Sequence, residues 1–124
     1  MSKRVLSVGQ CGPDHSCLTR FLTSHFDVEV VPACIGCDAM QKLRGGKYDL
    51  VLINRKLDED YSDGMEIVKA IKADPELSVV PIMLITNYCQ HQEEAIAAGA
   101  IRGFGKMEYN KPETLERLKA VLTG

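Results

Sequence analysis

A pair of cysteines separated by two residues is the first feature of this sequence that could do chemistry. Cys34 and Cys37 form a CxxC motif, a spacing found in thiol–disulfide exchange and in metal sites. Cys11 and His15 could supply two further ligands to Zn²⁺. No other CxxC occurs and the remaining spacings match no zinc motif, so we favour structural thiols and keep a redox or metal sensor as the alternative.

The remaining cysteines and histidines give weaker signals. Cys17 falls among apolar residues at helical spacing and is predicted to be buried, whereas Cys89 is predicted to be a loop thiol. His25 and His91 have no carboxylate partner evident in the sequence, so we interpret them as surface residues rather than a catalytic base.

A second group of residues stands directly after the apolar runs of the chain. If these runs are parallel strands, their carboxyl ends meet at one edge of a sheet, where ligands bind in open α/β folds. The residues at this edge are Gly9, Gln10, Cys11, Cys34, Asn54, Thr86 and Lys106.

Strands and helices are predicted to alternate along the whole sequence. Short apolar or β-branched runs predict strands at residues 5–8, 26–31, 50–53, 79–85 and 101–104. Helical spacing and capping residues predict helices near 14–25, 39–43, 63–74, 90–98 and 112–122. This alternation implies an α/β fold in which helices cover both faces of a parallel sheet, in one domain spanning residues 1–124.

Composition excludes several classes of function. The 124 residues are 45% hydrophobic, enough for one core, and 15 basic against 17 acidic residues give a net charge of −2. Such a balance argues against binding to nucleic acid or to an anionic membrane. The apolar run at 79–85 is too short to cross a bilayer, and the amino terminus is typical of a first strand rather than a signal peptide. We therefore expect a cytoplasmic protein with mostly reduced cysteines.

Four short motifs occur in an order and spacing that resemble a known family. They are GKYDLVLI at 46–53, DGME at 63–66, PIMLIT at 81–86 and AGA at 98–100. Together they resemble response-regulator receiver domains, the phosphoacceptor modules of two-component signalling. The resemblance implies a flavodoxin-like, doubly wound (βα)5 fold of three layers with strand order 2-1-3-4-5.

The resemblance also assigns the positions of the family's phosphoryl site. Family receivers carry two acidic residues that hold Mg²⁺ after strand one, where this chain has Gly9 and Gln10. The family's phosphoacceptor aspartate matches Asn54. The family's hydroxyl residue after strand four matches Thr86, and its lysine after strand five matches Lys106.

Other positions depart from the family pattern as well. Met107 replaces the usual proline, Gly103 falls at the aromatic switch position with Phe104 one place later, and the loop at 58–62 is about two residues longer. Three acidic residues are too displaced in register to serve as confident replacements for the missing carboxylates: Asp14, Asp58 and Asp60.

These differences change the chemistry available to the site. Phosphoryl transfer to a side chain needs a nucleophile and a cation that neutralises developing charge, and the amide oxygen of Asn54 is a poor nucleophile. Mg²⁺ usually needs one or two carboxylates. An unpaired Lys106 would also repel it, by roughly 4 kcal/mol per unit charge at 4 Å and an effective dielectric near 20. We therefore expect no metal and no cofactor, and a pocket that accepts a small anion more readily than a cation.

The sequence thus predicts a stand-alone receiver-like domain that is not an enzyme and is not phosphorylated at the usual position. With no output domain following, it would act through a histidine kinase or a downstream effector. The face of helix four, strand five and helix five would bind that partner or a second copy, with candidates Ala95, Ala97, Phe104 and Leu115. Three alternatives remain open: a conventional phosphorelay receiver with an unusual acceptor, a thiol-based sensor using Cys34 and Cys37, and a small-ligand binder on the same scaffold.

Overall fold

The structure is a computed structural model that contains eleven short elements. It describes residues 3–10, 12–33, 36–57, 63–109 and 111–122, and it leaves out the side chains of residues 36 and 37. The strands are β1 Lys3–Val8, β2 Val28–Ala33, β3 Leu50–Asn54, β4 Ile82–Ile85 and β5 Ile101–Phe104. The helices are α1 Gly12–His25, α2 Gly36–Gly45, α3 Gly64–Ala73, α4 Cys89–Ala97 and α5 Pro112–Leu122, with a 3₁₀ turn at Lys106–Glu108.

The five strands form one parallel sheet in the order β2-β1-β3-β4-β5, which confirms the predicted fold. Apart from Asn54 at the end of β3, the residues of β3 and β4 are apolar on both sides, as strands covered on both faces must be. Side chains alternate between two cores. The first core joins the sheet to α2, α3 and α4 through residues such as Ile53, Leu84 and Ile71. The second joins the sheet to α1 and α5 through residues such as Leu18 and Leu118.

Two helix boundaries follow their sequence signals. Asp63 is the first residue of the helix predicted at 63–74, and its carboxylate caps α3 by accepting a hydrogen bond from the Met65 N–H at 2.9 Å. Gly99 follows α4 with a φ of 107°, a left-handed conformation that glycine adopts without strain.

Several strand boundaries differ from the prediction, most of all those of β2 and β4. The strand β2 begins at Val28 rather than residue 26, and it accommodates Pro32 because it lies at the edge of the sheet. The strand β4 begins only after Pro81, and Val79 is 82% exposed in the preceding turn. Apolar composition alone therefore overestimated the length of β4.

Several predicted side-chain positions need correction. Cys17 is exposed on α1 rather than buried. Phe104 and Ala95 are fully buried, so neither can contact a partner on the α4–β5–α5 face. Cys89 begins α4 instead of lying in a loop. Among the described helices, none has the length and apolar composition needed to cross a membrane.

Candidate functional site

A cavity of about 230 Å³ opens at the carboxyl edge of the sheet, where β3, β4 and β5 end. The structure brings Asn54, Thr86 and Lys106 together in its wall, although the first and the last are 52 positions apart in the sequence. The complete lining consists of Asn54, Arg55, Lys56, Ile85, Thr86, Asn87, Tyr88, His91 and Lys106.

The end of β1 lies next to this cavity but does not line it. Gly9 has a φ of 78°, and a Cβ atom there would lie 2.5 Å from Cγ of Leu57. Both the backbone conformation and the packing of Leu57 therefore exclude a side chain at position 9. The side-chain oxygen and nitrogen of Gln10 are buried and have no hydrogen-bond partner among the described residues.

The side chain of Asn54 joins the ends of two strands. Its Nδ2 donates to the carbonyl oxygen of Lys56 at 2.7 Å and, over a longer 3.5 Å, to that of Gly9. An aspartate carboxylate, which only accepts hydrogen bonds, would face both carbonyl oxygens without a proton to donate. The amide at this position therefore has a structural role that a carboxylate would not fulfil.

Thr86 is held by the first turn of α4. Its hydroxyl group lies 3.2 Å from Nδ1 of His91 and accepts a hydrogen bond from the Tyr88 N–H at 3.3 Å. His91 thus lines the cavity while remaining partly exposed, and its contact with Thr86 was not predicted from the sequence. The signal that could have revealed this contact is the position of His91 in the first turn of the helix that follows β4, where side chains turn back toward the strand end.

Lys106 is paired rather than isolated. Its Nζ lies 2.5 Å from Oδ2 of Asp14, in the first turn of α1. The expectation of an unpaired ammonium is therefore wrong. Asp14 contacts the lysine but is not among the residues that line the cavity, so the expectation that it does not replace a metal-binding carboxylate stays a prediction. The chain itself supplies a carboxylate at this edge, but it is already engaged by the lysine.

Cationic groups outnumber acidic groups in the wall of the cavity. Arg55, Lys56 and Lys106 all line it, whereas its lining includes neither an aspartate nor a glutamate from the described ranges. Arg55 is paired with Asp63 at 2.8 Å. Within the part of the chain that the structure describes, no three metal-binding side chains cluster together. The described part of the wall thus offers no carboxylate ligand to a divalent cation, and two of its three cationic side chains already have carboxylate partners.

An aromatic cluster lies behind Asp14. The ring of Tyr109 stacks on Phe21 with centroids 4.7 Å apart and contacts the buried Phe104 edge-on at 5.9 Å. Burial, reinforced by the negative charges of Asp14 and Cys17, raises the pKa of the Tyr109 hydroxyl to about 12. Tyr109 therefore remains neutral near pH 7.

The proposed thiol site falls outside the described residues. Cys11, Cys34 and the side chain of Cys37 are not among the residues that the structure describes. The acidic loop residues Asp58 and Asp60 lie outside the described ranges as well. The described thiol of Cys89 accepts a hydrogen bond from Arg102 at 3.0 Å, and this contact raises the pKa of the guanidinium.

Comparison with known proteins establishes the family. The sequence model of the response regulator receiver domain matches residues 14–123, so this chain belongs to that family and is a receiver domain of two-component signalling. The match begins beyond β1 and beyond Gly9 and Gln10, the two residues that follow this strand. The polar-differentiation response regulator DivK of Brucella anthropi is 27% identical over 106 residues, 85% of each chain.

Solved structures of receivers share the fold across nearly the whole chain. The chemotaxis protein CheY4 of Vibrio cholerae superposes with a TM-score of 0.80 at 25% identity, covering 98% of this chain and 100% of that one. The receiver domain of the sensor histidine kinase PA1611 from Pseudomonas aeruginosa has a TM-score of 0.80 at 19% identity, with both chains fully covered. That structure holds a magnesium ion in its active-site cleft.

Proposed function

We propose that this receiver domain transmits its signal in the cytoplasm by protein–protein interaction, without phosphorylation of Asn54. The proposal rests above all on the two hydrogen bonds that the Asn54 amide donates to backbone carbonyl groups. These bonds use the side chain as a donor, whereas a phosphoacceptor must present an anionic oxygen to phosphorus.

The ion pair between Lys106 and Asp14 supports the same conclusion. A lysine that already has a carboxylate partner at 2.5 Å is less available to neutralise an incoming phosphoryl group. A carboxylate that already holds a lysine is likewise a poorer ligand for Mg²⁺. The Pseudomonas receiver coordinates magnesium in its cleft, whereas the described wall of this cavity offers cations and amides.

The α4–β5–α5 face is the surface proposed to bind the partner, either a histidine kinase or a downstream effector. Exposed apolar side chains at this face are Ile96, 43% exposed, and Ile101, 39% exposed. Met107, just beyond β5, is 83% exposed. These residues replace the buried Ala95 and Phe104 as candidates for contact, and a second copy of the chain would use the same apolar surface.

Intact-mass measurement after incubation with acetyl phosphate and Mg²⁺ tests the absence of phosphorylation. We expect no gain in mass, and a receiver domain that is phosphorylated by acetyl phosphate serves as the positive control for the phosphodonor. A gain of one phosphoryl group that maps to a residue lining the cavity would overturn the proposal and favour a phosphorelay receiver with an unusual acceptor.

Site-specific photo-crosslinking tests the interaction face. A photoreactive residue at position 101 should form adducts in cells with a two-component protein, identified by mass spectrometry. The matched control is position 79, because Val79 is also an exposed apolar residue but lies in the turn between α3 and β4, beside Leu43 and Tyr48 and outside the α4–β5–α5 face. Adducts from position 79 alone would contradict the proposed face.

A further inference from the structure

The pairing between β4 and β5 is irregular at one residue. Met83 pairs with Ile101 and Ile85 pairs with Phe104, so β5 carries one extra residue across this interval. Gly103 lies in the irregular stretch with its backbone pressed against β4, and a Cβ atom there would lie 2.4 Å from the carbonyl oxygen of Leu84. The bulge therefore requires glycine and interrupts the ordinary ladder of hydrogen bonds.

The side chain of Gln92 bridges this interruption from α4. Its Oε1 accepts a hydrogen bond from the Gly103 N–H at 2.8 Å, and its Nε2 donates to the Leu84 carbonyl at 2.9 Å. The same Nε2 lies 3.3 Å from the carbonyl oxygen of Thr86. Gln92 is only 3% exposed, so its amide replaces backbone pairing inside the protein, where an unpaired polar group would cost about 1–3 kcal/mol.

The other polar group of Gly103 is held from the opposite side. Nη1 of Arg117, on α5, donates to the Gly103 carbonyl oxygen at 3.2 Å. The N–H and the carbonyl of a single bulged residue are therefore bound by side chains from the two helices that flank β5. Two long side chains thus join α4, β5 and α5 at one point.

We propose that Gln92 and Arg117 lock α4, β5 and α5 into one conformation, so that the face they form is permanently presented to a partner. The role of this face rests on the proposed function, but the lock itself depends only on the contacts at Gly103. The same part of α4 also contacts the cavity residue Thr86. Gln92 donates to the Thr86 carbonyl oxygen, and the adjacent His91 contacts the Thr86 hydroxyl group.

Amide hydrogen exchange measured by NMR tests the lock. In Gln92→Leu, which keeps an apolar side chain in the buried position, the Gly103 amide should exchange about tenfold faster, while amides of β3 keep their protection. Gln90→Leu is the matched control, since Gln90 is exposed on the same helix and should leave the exchange of Gly103 unchanged. Equal protection of Gly103 in wild type and in Gln92→Leu would overturn the proposal.

If Gln92→Leu does not fold, the hydrogen bond between Gln92 and Gly103 can still be tested in the wild-type protein. Scalar coupling across the hydrogen bond should connect the Gly103 backbone nitrogen with the side-chain carbonyl carbon of Gln92, and its absence would overturn the lock. Phosphorylation does not enter this measurement. A gain of mass with acetyl phosphate would therefore defeat the proposed function while leaving the coupling intact.

Discussion

The ammonium group of Lys106 lies 2.5 Å from the carboxylate of Asp14, which joins the 3₁₀ turn after β5 to the first turn of α1. Both side chains are about a third exposed, so water screens the pair and its contribution to stability is small. The ion pair matters more for the charge of the cavity, because the Asp14 carboxylate determines how strongly Lys106 attracts an anion.

Removal of the partner carboxylate should therefore strengthen anion binding. We expect Asp14→Asn to bind sulfate more tightly than wild type, since Lys106 is released toward the cavity, with a loss of stability below about 1 kcal/mol. A sulfate titration followed by the NMR shifts of Thr86 and His91 measures the affinity.

The control for this experiment is Asp38→Asn. Asp38 forms an ion pair with Lys42 on α2, away from the cavity lining, so its loss should not change sulfate binding. Equal sulfate affinity in wild type and Asp14→Asn would show that the ion pair does not restrain Lys106.

A side chain at position 9 should destabilise the protein. Gly9→Ala introduces a left-handed alanine and a contact with Leu57, and we expect a loss of about 2–4 kcal/mol in denaturant unfolding. An acidic residue cannot simply be restored at this position for the same reason. The loss should be smaller in a Leu57→Ala background, because the steric part of the cost is then relieved.

Gly45→Ala provides the comparison for position 9. A Cβ atom at Gly45 meets no atom within 4 Å, so this substitution should change stability by less than about 1 kcal/mol. If both glycine variants proved equally stable, the packing of Leu57 against Gly9 would not be restrictive.

Asn54→Asp should be destabilised near pH 7 by about 1–2 kcal/mol, because the carboxylate cannot donate to the carbonyl groups of Lys56 and Gly9. The deficit should shrink as the pH falls toward about 4, where the carboxyl group binds a proton and can donate again. Urea unfolding across this pH range gives the measurement.

Asn87→Asp is a control within the same cavity. The side-chain oxygen of Asn87 accepts a hydrogen bond from the Met107 N–H at 3.3 Å, and a carboxylate keeps that acceptor. We therefore expect a much smaller effect at position 87 than at position 54. The reverse order would mean that the donor role assigned to Asn54 is wrong.

The burial of Tyr109 predicts a loss of stability at high pH. Its pKa is raised to about 12 in the folded protein, whereas an unfolded tyrosine titrates near 10. Between these values the unfolded chain releases the proton and the folded chain keeps it, so this contribution is complete below pH 10 and is lost as the pH rises toward 12.

Ultraviolet absorbance titration of wild type against Tyr109→Phe isolates this hydroxyl group. In Asp14→Asn the pKa of Tyr109 should fall, because one of the negative charges that disfavour the tyrosinate is removed. A difference spectrum that titrates near pH 10 in wild type would contradict the burial described for Tyr109.

Much of the fold could be predicted from the sequence because hydrophobic periodicity and glycine or proline boundaries are local signals. The strand β3 and the cap at Asp63 are clear examples. The start of β4 and the exposure of Cys17 were missed, since both depend on how the chain packs beyond its nearest neighbours.

The candidate site could be predicted only in part. The ends of parallel strands must meet, which is why Asn54, Thr86 and Lys106 were correctly placed together. The contacts of Asp14 with Lys106 and of His91 with Thr86 depend on side chains that helices bring back over the strand ends. Position in the sequence does not specify such contacts, and spacing alone would not have paired residues 14 and 106.

The most direct test of the central claim follows the Asn54 side-chain amide by NMR while beryllofluoride, a mimic of the phosphoryl group, and then Mg²⁺ are added. We predict that adding Mg²⁺ to protein that already contains beryllofluoride will cause no saturable shift of the Asn54 side-chain resonances or of the Thr86 and Lys106 amides, since an anion alone can enter this pocket without a metal. Saturable shifts of these three residues that require Mg²⁺, at a one-to-one stoichiometry, would contradict the account.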